Sequence, residues 1–135
     1  MFYDFTFPIP KDKTVDDPEV KEINLTYGVV HKVTLSWAPG PHGQAHVVIK
    51  QYDHQVLPTN IDESFHYDDY THVMDERIEL FEAPYSLKLV GWGVNCNHPH
   101  TIIVGIGILP PECFPEYQKA DTRLSKLLQL VGIRG

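Results

Sequence analysis

A chain of 135 residues with 42% hydrophobic side chains and a formal charge of −7 has material for one two-layer core and little for a second domain. Its acidic balance, with arginine only at Arg77, Arg123 and Arg134 and lysines too scattered to form a patch, argues against direct nucleic-acid binding, because a polyanion is repelled by such a surface. No apolar run approaches the ~18 residues that cross a bilayer, and Met1-Phe2-Tyr3-Asp4 lacks the basic lead and apolar stretch of an export signal, so no membrane is expected as a partner.

Phe2 to Phe7 alternates, with Tyr3, Phe5 and Phe7 on one side and Asp4 and Thr6 on the other, which predicts a half-buried strand. Pro8-Ile9-Pro10 ends it, and the polar, proline-bounded stretch from Lys11 to Pro18 reads as a linker. Two runs follow, Val20 to Tyr27 and Val29 to Trp37. Ile23, Leu25 and Tyr27 share a face in the first; Val29, Val33, Leu35 and Trp37 share one in the second, with His31 among them. Gly28 predicts a bend or bulge where one long strand changes direction. Ala38 to Gly43 is a turn by composition, and Gln44 to Tyr52 alternates again, so Val29 to Tyr52 is expected to form a hairpin.

From Asp53 to Asp75 the periodicity fades, which predicts a long excursion with one short strand near Phe65 to Tyr70. Arg77 to Glu82 and Tyr85 to Trp92 resume the strand pattern around Ala83-Pro84. His100 to Leu109 carries Ile102, Val104, Ile106 and Ile108 on one face, and Gly105 and Gly107 among apolar residues on the other. Glycines in that position predict something packed closely against the second face. Beyond Pro110-Pro111 and Pro115, the recurrence of Tyr117, Ala120, Leu124, Leu127, Leu128 and Val131, with Gly132 as a stop, predicts an amphipathic helix.

Seven to eight strands punctuated by proline and glycine predict an all-β antiparallel sandwich resembling a jelly roll, closed by one short C-terminal helix. The expected organisation is a single domain: N-terminal strand and linker over 1–19, sandwich core over 20–109, and proline-rich exit with helix over 110–135. Two cysteines, Cys96 and Cys113, make no disulfide framework, and free thiols are the expectation.

The densest group of chemistry-bearing residues is Cys96-Asn97-His98-Pro99-His100. In an extended chain Cys96, His98 and His100 project to one side, as three ligands for zinc or another transition metal. The spacing is not a standard zinc pattern, Pro99 disturbs the alternation, and Thr101 to Leu109 lacks the glutamate that a cupin-like metal enzyme would place on that strand. Adjacent acid pairs such as Asp62-Glu63 and Asp68-Asp69 read as solvated loops. Trp92 has the opposite parity to Leu87 and Leu89 and so faces away from the core. There it serves either a carbohydrate-binding module or, as aromatics often do, an interface.

The succession of a long strand from Val29, the turn Trp37-Ala38-Pro39-Gly40, the segment Ala83 to Leu87, the segment Gly91-Trp92-Gly93-Val94-Asn95 and the strand His100 to Val104 resembles small β-sandwich structural proteins of tailed-phage particles, which decorate capsids or build necks and tails. The resemblance spans Ile23 to Leu109 in strand and turn pattern. It implies a non-enzymatic structural subunit without a cofactor, in a virion or the cytoplasm, forming a homo-oligomer and meeting other assembly proteins. The expected contact residues are Phe2, Tyr3, Phe5 and Phe7, added to a neighbour's sheet edge, Trp92, and the helical stripe Leu124, Leu127, Leu128 and Val131.

Overall fold

The structure is a computed structural model that describes residues 1–94 and 96–117. Eight strands run in order: β1 (Phe2–Ile9), β2 (Glu19–Asn24), β3 (Gly28–Trp37), β4 (Ala45–Gln51), β5 (His54–Leu57), β6 (Tyr70–Leu80), β7 (Ser86–Gly93) and β8 (His100–Leu109). They form two four-stranded sheets, β1-β8-β3-β6 and β2-β7-β4-β5, with every pairing antiparallel. The chain changes sheet at each connection except β4 to β5. This is the eight-stranded jelly roll, an all-β sandwich. Among the described residues no helix is long and apolar enough to cross a membrane.

The period-two alternation supplies the core. Phe7 and Ile9 from β1, Leu35 and Trp37 from β3, Val47 and Ile49 from β4, Leu87 and Leu89 from β7, and Ile102, Val104, Ile106 and Ile108 from β8 interdigitate between the layers. Each such side chain contributes about 1.5–3 kcal/mol on leaving water. The Trp37 indole N–H crosses the core to the Ala45 carbonyl at 3.2 Å, so the largest buried ring leaves no polar atom unmatched.

Two expectations are corrected here. Val29 to Tyr52 is not a hairpin, because β3 and β4 lie in opposite sheets and the Pro-Gly turn arches over the core. Alternation reports which side chains face inward, not which strand supplies the hydrogen bonds. The hairpin lies one step later, where β4 and β5 join through Tyr52-Asp53 at φ values of 52° and 73°. That is the backbone of a type I′ turn, whose usual Asn-Gly signature is absent. Finally, β6 begins at Tyr70 and runs for 11 residues, longer than the sequence periodicity indicated.

A bulge resets β3. Its register shifts between Val30 and Lys32 against both neighbours, so Val30 rather than Val29 joins Val33 in the core. An extra residue in one strand reverses parity beyond it, and His31 therefore lies on the outer face, 5.9 Å from the Phe114 ring. Gly28, at φ 150°, marks the passage between sheets. A Cβ there would meet Ile108 Cγ2 at 2.7 Å.

The outer face of β8 is covered as its glycines predict. Phe2 lies across Gly105 and Gly107, and a Cβ on Gly105 would stand 2.8 Å from its ring and collide with Thr34 Oγ1. After β8 a 3-10 turn over Pro111–Cys113 delivers Phe114 to a buried position. The Arg77 guanidinium sits 4.5 Å from that ring and pairs with Glu116, while the Tyr117 hydroxyl donates to Glu79 at 3.3 Å. The helical stripe expected at Leu124, Leu127, Leu128 and Val131 lies outside the described residues.

Two of the four edge strands, β1 and β6, carry side-chain caps from the opposite sheet. Lys21 Nζ donates to the Thr6 carbonyl of β1 at 2.7 Å, and Gln51 Nε2 donates to the Glu79 carbonyl of β6 at 2.8 Å. Substituting Gly105→Val should destabilise the fold by about 1–3 kcal/mol through overpacking, read as a lower urea midpoint. An unchanged midpoint would mean that Phe2 lifts from the sheet without cost.

Candidate functional site at the histidine-rich end

Antiparallel pairing brings the C-terminal ends of β1, β3, β5 and β7 beside the N-terminal ends of β8, β6, β4 and β2, as in Ile9 opposite His100 and Trp37 opposite Tyr70. Four connections, residues 10–18, 38–44, 58–69 and 94–99, therefore gather at one end of the sandwich. Of the chain's 8 histidines, His42, His46, His66, His72, His98 and His100 lie in these connections or in the strand ends they join. Hydrogen bonds stitch the connections together, from Gly93 N to Lys13 O at 3.1 Å and from Val94 N to Gln44 O at 2.8 Å.

Cys96, His98 and His100 are not assembled as a metal site there. The Cys96 thiol turns back toward the Gln44 carbonyl, 3.6 Å away, His98 is exposed and His100 begins β8. Among the described residues no three His, Cys, Asp or Glu side chains form a group that could hold a metal ion. Cys96 and Cys113 are free thiols.

The organised centre is His46 instead. Val47 and Phe65 form a two-way backbone bridge, each N–H reaching the other's carbonyl at 2.9 Å. With Val47 and Phe65 both buried in the core, alternation turns their neighbours outward. His46 Nδ1 lies 2.7 Å from Ser64 Oγ, and its ring stacks 4.5 Å from that of His66. Trp92, the register partner of His46 across β4 and β7, stacks on it at 5.5 Å with the planes 8° apart. Burial, and then the neighbouring His66, hold His46 below the ordinary histidine value, which favours its neutral form.

Beside this stack opens a cleft of about 270 Å³ on the outer face of β2-β7-β4-β5. Val48, Val90 and Trp92 line it from the strands, Ile61 to Ser64 from one connection, and Val15 and Pro18 from another. Lys50 and Gln55 add polar groups. The Gln55 amide is shared among the carbonyls of Pro58, Asn60 and Glu63 at 2.9–3.3 Å and so holds the wall in place. Further along the same connection Asp68 Oδ1 accepts from His42 N–H at 3.0 Å and Gly40 N–H at 2.9 Å, bonds that hold its carboxyl below the usual carboxylate pKa. A larger groove of about 560 Å³ lies apart, lined by Tyr52, Val56, Ile78 and Phe81 with Glu76, Glu79 and Glu82.

The expected contact residues separate. Phe7 is fully buried, Tyr3 and Phe5 pack against the core, and β1 pairs with β8 along its length, so these aromatics serve the chain's own fold. Phe2 remains 55% exposed while covering the β8 glycines. Trp92 is half-buried in the cleft. Sequence reading missed Ser64 and His66. The available signal was Phe65, an isolated apolar residue between polar neighbours, as a strand-like contact would require.

No family model matches the chain, and none of the curated proteins matches it. Among solved structures, a family two carbohydrate esterase from Cellvibrio japonicus is similar at 13% identity and a TM-score of 0.30, over 82% of this chain and 36% of the esterase. A likeness at that level bears on neither the fold nor the activity.

In a Trp37→Phe background, which leaves Trp92 as the sole fluorophore of its kind, His46→Ala should increase acrylamide quenching and red-shift the emission. Unchanged quenching would show that the stack does not shield the indole.

Proposed function

We propose that the chain is a non-enzymatic structural subunit of a larger assembly, a homo-oligomer that also meets other assembly proteins and docks through the cleft-bearing face of β2-β7-β4-β5. The observation that carries this reading is the grouping of exposed aliphatic side chains around a half-buried tryptophan. Val15 is 64% exposed, Val20 52% and Ile61 71%. Val15 and Ile61 line the cleft with Trp92, and Val20 stands opposite Val90 in the β2–β7 register. Apolar side chains scattered singly need no explanation, but a contiguous patch marks a contact surface, and a tryptophan within one is a favoured anchor. Placement in a virion belongs to the same proposal and rests on the resemblance of the strand and turn pattern to tailed-phage structural proteins.

Native mass spectrometry of the full chain tests it. The expected result is a discrete oligomer that Ile61→Asp reduces to smaller species, with the far-UV spectrum retained. A monomeric wild type, or an oligomer indifferent to Ile61→Asp and Trp92→Ala, would count against docking through this face.

A second reading has its own observation, the placement of the Trp92 ring beside Lys50, Gln55, Asp62 and Glu63 in a single cleft. An indole flanked by polar groups suits a sugar ring, and this reading expects Trp92 emission to shift during oligosaccharide titration. A flat response across common glycans removes it.

A further inference from the structure

We propose that residues 58–69 form a pH-gated flap latched on His46, and that protonation of His46 frees the flap and opens the cleft beside Trp92. This inference concerns the flap alone and does not depend on the assembly reading. The flap supplies Ile61, Asp62, Glu63 and Ser64 to the cleft wall, so its position sets how much of the Trp92 face is covered.

The attachments of the flap differ in what holds them. At its start the Gln55 amide engages carbonyls, and near its end Asp68 engages two backbone N–H groups. The N–H bonds from His42 and Gly40 hold the Asp68 carboxyl below its ordinary pKa, and the His42 imidazole 3.9 Å from Asp68 Oδ2 adds an attraction when that ring is charged, so neither end is loosened by acidification. The middle is different. There the Phe65–Val47 bridge is flanked on its outer side by Ser64 and His66, and both bear on the single imidazole of His46.

With both rings neutral, His46 exchanges one hydrogen bond with Ser64 and stacks on His66. With both protonated, two like charges face each other at a ring separation of 4.5 Å in a site partly shielded from water. The surroundings do not offset them. From the flap come His66 and the neutral Ser64; from β7 comes the uncharged Trp92. On β4 itself Lys50 lies four residues along, on the same face by alternation. Asp62 and Glu63 line the adjoining cleft rather than the stack.

The direction of the pH effect follows. Burial and the His66 charge lower the His46 value from 6.5 in the latched form, so latching favours the neutral ring. The latch is fully present above that ordinary value and is lost as pH falls through the lowered one.

Hydrogen exchange of the full-length chain, corrected for the intrinsic pH dependence of exchange, tests the flap against β3 and β8 as internal references. Between about pH 7.5 and about pH 5, exchange in 58–66 should rise by about tenfold or more in the wild type, since local opening reports its own free energy. His46→Gln should remove most of that pH response, and His66→Gln, at an exposed position, should weaken it without disturbing the fold. Two results would overturn the proposal: wild-type flap protection that is the same at both pH values, or a pH response in His46→Gln as large as that of the wild type. Oligomer mass at both pH values, measured in parallel, separates failure of the latch from failure of the assembly reading.

Discussion

The pairing of β3 with β8 bears most of the structure's constraints. These strands lie at the centre of one sheet, flanked by β1 and β6, and contribute Val30, Val33, Leu35, Trp37, Ile102, Val104, Ile106 and Ile108 to the core. A central strand must also be closed on its other face, and here that closure comes from Phe2 at one end of the chain and from the segment carrying Phe114 at the other. The first and last described parts of the chain are thus committed to the same layer. Among the described residues the opposite sheet has no such cover, and its outer surface carries Trp92, His46 and the connection that leans on them.

Much of this arrangement was legible before any coordinates. Alternation identified the inward residues of β1, β4, β7 and β8, because burial on one face of a pleated strand imposes a period of two. The paired glycines of β8 announced a close neighbour, although Phe2, far away in sequence, could not be identified as that neighbour. Trp92 was assigned outward by parity alone.

The failures have equally physical causes. A one-residue bulge at His31 is invisible to a parity argument until the register of both neighbours is known, and it moved Val29 and His31 to the opposite face. The Pro-Gly turn after Trp37 looks the same whether the chain returns beside its own strand or arches to the other sheet. The His46, Ser64 and His66 group depends on a single long-range bridge between Val47 and Phe65, which no local pattern specifies. Conversely, Cys96, His98 and His100 are close in sequence, yet the Cys96 thiol is directed toward the Gln44 carbonyl, a long-range contact that no local spacing reveals.

The side-chain caps on β1 and β6, two of the four outer strands, stand in the way of strand addition at those edges. An open sheet edge invites endless strand-by-strand growth, and natural proteins block that route in several ways. Here Lys21 and Gln51 each occupy a backbone carbonyl on an edge, so an incoming strand would have to displace an ammonium or an amide before forming its own ladder. Strand addition along the β1 and β6 edges is thereby discouraged.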